Sequence, residues 1–179
     1  PKKGIVLSHG PEINSTYFFD ASLRQTDNES FLIYALTFRD RSTFSGWMAH
    51  NFVELLQPFD PTNTGKDSLA TGTEHRWNSW GTEFVSKPNS LFTYSFSTRY
   101  GGYYAEGTRL NVTTEFGYRF QPYVSLAISS SYNDIDLPEP WNSTNFWLVG
   151  PRLDVERHVD RIAVPAQDPA ELEARAPLV

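Results

Sequence analysis

Apolar and polar residues alternate along most of this chain. Between Arg109 and Phe120, Leu110, Val112, Phe116, Tyr118 and Phe120 share one parity, and Arg109, Asn111, Thr113, Glu115 and Arg119 share the other. Successive side chains of a β-strand point to opposite faces, so this segment reads as a strand with one greasy and one wet face. The rhythm recurs elsewhere. Leu32, Tyr34, Leu36 and Phe38 fall together, as do Phe92, Tyr94, Phe96 and Tyr100 against Thr93, Ser95, Ser97 and Arg99. Val124, Leu126, Ile128 and Tyr132 oppose Ser125, Ser129, Ser131 and Asn133.

The pattern predicts about eight strands. They lie near Ile13–Arg24, Phe31–Arg39, Thr43–Leu55, Glu74–Val85, Phe92–Tyr100, Arg109–Phe120, Val124–Asn133 and Thr144–Val155. Turn-forming stretches separate them, at Gln25–Glu29, Asp40–Ser42, Lys87–Asn89, Gly101–Gly107 and Asp134–Asn142, with a long polar loop over Gln57–Gly72. Links as short as Gln121-Pro122 allow only an antiparallel return. The expected fold class is therefore all-β, an antiparallel up-and-down meander occupying residues 1–155. After Val155 the aromatics stop and charges take over. Residues 156–179 read as a charged tail, irregular or with a short helix opened by Asp168-Pro169.

Periodicity does not name the solvent. A soluble sandwich would bury the apolar face, and an outer-membrane barrel would turn it to lipid around a polar interior. Three features favour the membrane barrel, or part of one. The polar faces are dense in Ser, Thr, Asn and Arg. The strands exceed the roughly 5–6 residues usual in soluble sheets. Aromatic residues gather near strand ends, at Tyr100, Tyr103, Tyr104, Tyr118, Phe120, Tyr123, Tyr132, Trp141 and Trp147, as in an interfacial girdle.

Composition agrees. Aromatic residues make up 15% of the 179 positions, with 13 Phe, 9 Tyr and 5 Trp. Such residues suit strands and membrane interfaces. The net charge of −6 leaves no basic excess to neutralise phosphates, which argues against nucleic acid as a partner. The absence of cysteine excludes disulfides and thiolate metal sites. No apolar run approaches the roughly 18 residues of a membrane helix, which excludes helical spans and leaves strand spans untouched. The first residue is Pro1, without Met or signal peptide, so a processed product or a fragment is expected.

Several segments carry a family resemblance. They are Leu7-Ser8-His9-Gly10-Pro11, Phe59-Asp60-Pro61-Thr62-Asn63-Thr64-Gly65, Ser97-Thr98-Arg99-Tyr100-Gly101-Gly102-Tyr103-Tyr104 and Tyr118-Arg119-Phe120-Gln121-Pro122-Tyr123. Tyr132-Asn133-Asp134-Ile135-Asp136-Leu137-Pro138-Glu139-Pro140 and Val149-Gly150-Pro151-Arg152 complete the set. In order and spacing, across roughly residues 5–155, they resemble the C-terminal barrel region of large envelope proteins of Bacteroidota-type bacteria. Those are the carbohydrate-binding family-9-like proteins with a barrel domain of unknown function. The resemblance implies a multi-stranded barrel in the bacterial outer membrane, in contact with its lipid, with a periplasmic glycan-binding-like domain upstream in the chain that is absent here. It also implies further strands where the charged tail stands.

Candidate chemistry is sparse. Asp134, Asp136 and Glu139 form the best acidic group, suited to Ca²⁺ or to a carboxylate pair for glycoside hydrolysis, though a solvated hairpin loop is the plainer reading. Asp60, Asn63 and Asp67 offer oxygen ligands without EF-hand spacing. His9, His50, His75 and His158 are scattered, and no G-x-S-x-G elbow occurs. No cofactor is expected. Trp77, Trp80 and Trp141 are candidates for stacking on a glycan, with girdle or core packing as the alternative. Arg24, Arg99, Arg109 and Arg119, with Glu115, share the polar parity and are expected to line an interior as an ion-paired network. The expected function is non-catalytic: an envelope barrel serving passage or surface handling of glycans or other nutrients. A soluble carbohydrate-binding sheet and a carboxylate hydrolase are the alternatives.

Overall fold

A computed structural model describes residues 4–65, 67–120 and 124–155. It contains β1 (Val6–Phe19), β2 (Gln25–Phe38), β3 (Thr43–Glu54), β4 (Glu74–Val85), β5 (Phe92–Gly102), a 3₁₀ turn at Tyr104–Glu106, β6 (Thr108–Phe120), β7 (Val124–Asp136) and β8 (Ser143–Val155). All eight strands form one sheet in sequence order, each antiparallel to the next. The all-β up-and-down meander is thus the observed fold. Within the described residues β1 and β8 remain sheet edges. Pro11 and Pro151 lie in these two edge strands, where a missing N–H is best tolerated. The expected tail helix at 168–176 falls outside the described residues.

Several boundaries differ from those expected, and β1 starts at Val6, well before the expected Ile13. The first turn occupies 20–24, and Gln25–Glu29 belongs to β2. The Asp20 carboxylate accepts from the Ser22 and Arg24 amides at 2.8 and 2.9 Å, and Leu23 takes φ of 62°. Asn28, a turn-former by type, instead pairs with Tyr17 and Phe52 and donates to the Thr16 carbonyl at 3.0 Å. Cross-strand bonding has overridden local preference. At the other end, β7 runs on to Asp136, so Asp134 and Asp136 are strand residues.

The sheet has an outer and an inner face. The outer face carries Leu32, Tyr34, Met48, Trp80, Phe96, Phe116, Ile128 and Trp147, all exposed, with Met48 at 62% and Trp147 at 67%. Registered aromatic pairs knit it together, such as Trp80 with Tyr100 at 5.7 Å and Tyr132 with Trp147 at 4.9 Å. The inner face carries Glu29, Asn51, Ser79, Arg99, Asn111, Ser131 and Asn133, and its buried members include polar side chains of this set beside Ala49, Ala127 and Ile135. Asn51, Ser79 and Asn133 are only 3–4% exposed.

The sheet curls toward this polar side. Arg99 on β5 reaches Glu29 on β2 at 3.0 Å, across β3 and β4. Flat strands would separate those backbones by about 14 Å. Gly81 allows the curl to pack tightly. A Cβ there would meet the Thr98 carbonyl at 2.0 Å and the Trp47 ring at 2.5 Å.

The connections are unequal at the two ends. Turns 39–42 and 86–91 share one end with the three-residue link 121–123. The opposite end carries the long loop 55–73, together with 20–24, 103–107 and 137–142. Leu55 and Leu69 are buried within the long loop, where Phe59 and Leu69 form a two-residue bridge. Among the described residues no large side chain is fully buried.

Candidate functional site

The polar side chains of the inner face converge at the long-loop end. Arg99 is the hub. Its Nη2 donates to Glu29 Oε1 and Asn51 Oδ1, each at 3.0 Å, and its Nε donates to Ser79 Oγ at 3.2 Å. The same guanidinium lies 5.5 Å from the Trp47 ring centre. Strand parity explains the convergence. Glu29, Asn51, Ser79 and Arg99 sit on four consecutive strands at positions that all face inward. A second group joins β6 to β7. Arg109 Nη2 donates to Asn133 Oδ1 at 2.7 Å, and Asn111 Nδ2 donates to Asn133 Oδ1 and Ser131 Oγ, each at 3.0 Å. The Arg109 guanidinium also covers the Tyr103 ring at 5.3 Å.

Aromatic rings close the space between these groups. Tyr104 lies 4.8 Å from both Trp77 and Tyr103, 5.1 Å from Phe59 and 5.3 Å from His75, measured between ring centres. Burial pushes the Tyr104 hydroxyl up to about 12, with Tyr103 and Asp27 adding to the effect. Burial likewise raises Tyr103, opposed by the neighbouring Arg109. Both phenols stay neutral at physiological pH and do not act as bases. A cavity of about 240 Å³ remains, bounded by Asp27 and Glu29 of β2, Trp77 of β4, Arg99 of β5 and the two tyrosines.

The expected site residues divide sharply. Arg99 and Arg109 do line the inner face at this cavity, and Trp77 joins them. Glu115 and Arg119 also lie on the inner parity, beside a separate cavity of about 110 Å³ at the short-turn end. Arg24 does not line the interior. It stands in the first turn, 64% exposed, paired with Asp20 at 3.4 Å and Glu54 at 3.0 Å. Trp80 faces outward, because three residues along a strand reverse the face. Trp141 belongs to the loop 137–142, its indole Nε1 buried without a partner.

Asp134 and Asp136 lie on the outer parity and are exposed, as is Glu139 in the following loop. Among the described residues no three histidines or carboxylates gather to hold a metal. Glu74, Arg76 and Asn78 on β4 continue the same polar margin on the outer face. Below it, the apolar stretch of β6 runs from Leu110 to Phe120. At about 3.3 Å per residue and the usual tilt, that stretch spans roughly 25 Å.

Tyr103 and Tyr104, expected in an outer girdle, turn inward. Their preceding strand ends at Gly102, and the turn that carries them folds over the cavity. Tyr123, from the same expected girdle, lies outside the described residues. Glu29 and Asn51 were not singled out in sequence. Their inward parity was available, but only the register between strands brings them to Arg99. Comparison of the chain with family models, curated proteins and solved structures finds no match.

Proposed function

We propose that this chain is the wall of a bacterial outer-membrane β-barrel, non-catalytic, serving passage or surface handling of glycans or other nutrients. One observation carries the reading: the apolar, aromatic face is the exposed face, and the ion-paired network lies on the side toward which the sheet curls. A protein folding in water does the reverse, because burying apolar area drives the process. Lipid around the outside and water within suit the observed arrangement. The unequal connections support it, since outer-membrane barrels pair short periplasmic turns with longer outward loops. On that orientation the aromatic and charged cavity opens toward the cell exterior, where a glycan would first meet the wall. The resemblance to envelope barrel regions points the same way.

The three described histidines support a non-catalytic role, and His158 lies outside the described residues. His9 Nδ1 is engaged by Tyr34 and His50 Nδ1 by Asn78. His75 meets Thr73 through Nε2, but its Nδ1 accepts from a backbone amide. Nε2 therefore carries the proton in the neutral ring and cannot take one from the threonine.

The test compares two single-tryptophan proteins in vesicles, one retaining Trp80 and the other Trp77. Brominated acyl chains are expected to quench Trp80 strongly and Trp77 weakly. A chain that stays monomeric in plain buffer, with neither residue quenched, overturns the membrane reading and favours the soluble carbohydrate-binding sheet.

A further inference from the structure

The cavity wall largely satisfies itself: Arg99 is spent on Glu29, Asn51 and Ser79, and Arg109 on Asn133. What covers the cavity is held differently. The turn bearing Tyr103 and Tyr104 has two successive non-glycine residues in the left-handed region, Ala105 at φ 50° and Glu106 at φ 62°. Such backbone persists only where its surroundings hold it. The base of the turn is closed on itself, Tyr103 N–H to the Gly107 carbonyl at 2.8 Å and Gly107 N–H to the Tyr104 carbonyl at 2.9 Å. Gly107 is wedged against Leu137, with 2.2 Å left for a Cβ. At its tip the Ala105 amide donates to His75 Nδ1 at 3.2 Å, while Tyr103 at its base bonds Arg109 of β6.

That tie works with one protonation state only. An amide can only donate, so Nδ1 must offer its lone pair. The other ring nitrogen is fixed in turn. The Thr73 hydroxyl gives its proton to the Ala70 carbonyl at 2.8 Å, leaving its lone pairs to accept from Nε2–H at 3.0 Å. A second proton on the ring would land on Nδ1 and face the Ala105 N–H head-on. The geometry points to a proton-operated latch: neutral His75 holds the strained turn over the cavity, and protonated His75 releases it.

Among the described residues packed against the turn, His75 is the one imidazole. Facing it from the turn are Tyr104 and, behind it, Tyr103, both neutral phenols. Glu106 on the same turn is exposed. Across the cavity stand Asp27 and Glu29 of β2, Arg99 of β5 and Arg109 of β6. Asp60, in the long loop that packs Phe59 on Tyr104, is held by its own turn. Glu54 of β3 and Glu74 and Arg76 of β4 belong to the opposite parity. Both imidazole nitrogens are already engaged by Ala105 and Thr73. Since the latched form requires the neutral ring, acid favours the released form. Burial and the facing Ala105 amide both disfavour the charged ring, so the transition falls below the ordinary histidine value of about 6.5.

The chain has no cysteine, so Glu106→Cys accepts a single nitroxide at the tip of the turn. The spin-label spectrum is expected to be immobilised at pH 8 and mobile at pH 5. The mobile-to-immobile ratio should rise by up to about tenfold per pH unit, the limit for one proton. His75→Gln, which keeps an acceptor and does not titrate, should stay immobilised at both pH values. His75→Phe should be mobile at both. A wild-type spectrum unchanged with pH, a transition that survives in His75→Gln, or an immobile His75→Phe overturns the latch. So does acid mobility accompanied by loss of the far-ultraviolet β signal, which would mean general unfolding. The measurement runs in detergent or in buffer, whichever folds the chain, so it stands apart from the membrane reading.

Discussion

Phe96 and Ser97 are neighbours in β5 and meet opposite surroundings. Phe96 stands 41% exposed among Phe84 and other outer rings. Ser97 turns inward between Glu83 and Thr113, on a face where amides, hydroxyls and guanidinium groups bond one another. The outer face carries most of the large exposed apolar side chains, and the inner face carries the Arg99 and Arg109 networks. Each strand contributes to both, so neither face can be altered by moving a whole strand. The difference teaches that the solvent was selected residue by residue, with a period of two. A one-residue slip in register would exchange the two faces throughout.

The largest break in this contrast comes from charging the outer face. Phe96→Arg should destabilise the protein in lipid vesicles by about 2–4 kcal/mol, the cost of a cation near the bilayer midplane. Denaturant unfolding in vesicles measures it, and an unchanged midpoint would mean that this face does not meet lipid.

A smaller effect is expected inside. Arg99→Met removes the donors to Glu29, Asn51 and Ser79. Stranding buried polar groups costs about 1–3 kcal/mol, and partial exposure of the Arg99–Glu29 pair places this loss toward the lower end. Adding Glu29→Gln to Arg99→Met should cost less than the sum of the single changes. Strict additivity would show that the pair does not stabilise the curl.

The smallest effect is local and lies in the long loop. Some burial raises the Asp60 carboxyl, but the bonds it accepts from the Thr62 hydroxyl and from the Gly65, Thr62 and Thr64 amides outweigh this and hold it below the ordinary carboxylate range. A carboxyl depressed in the folded state lends stability above its unfolded value of about 3.9 and withdraws it as pH falls through the folded value. The loop 57–72 should therefore loosen only in strong acid. Asp60→Asn should loosen it at neutral pH. Protease cleavage within the loop reports both, and equal cleavage of Asp60→Asn and the parent protein at pH 7 would refute the role of the carboxylate.

Much of the fold was legible in the residues themselves. The β4 bounds Glu74–Val85 agree with expectation, and those of β3 and β8 differ by a single residue, because alternation and turn chemistry are local. The site was legible only in part. Arg99, Arg109 and Trp77 carry the right parity and meet at one cavity. Arg24 carries a polar parity too, yet the strand ends before it and leaves it in a turn. Tyr103 and Tyr104 resemble girdle residues by composition, and only the inward fold of their turn places them over the cavity.

By itself, the sequence determined the strands, their antiparallel order and which residues share a face. Those properties depend on side-chain parity and on links too short for any other return. Tertiary structure decided which side the sheet curls toward, that Glu29 on β2 would meet Arg99 on β5, and that the His75 ring would meet the Ala105 amide. These depend on distances between residues far apart in the chain, set by the register and curvature of the strands between them.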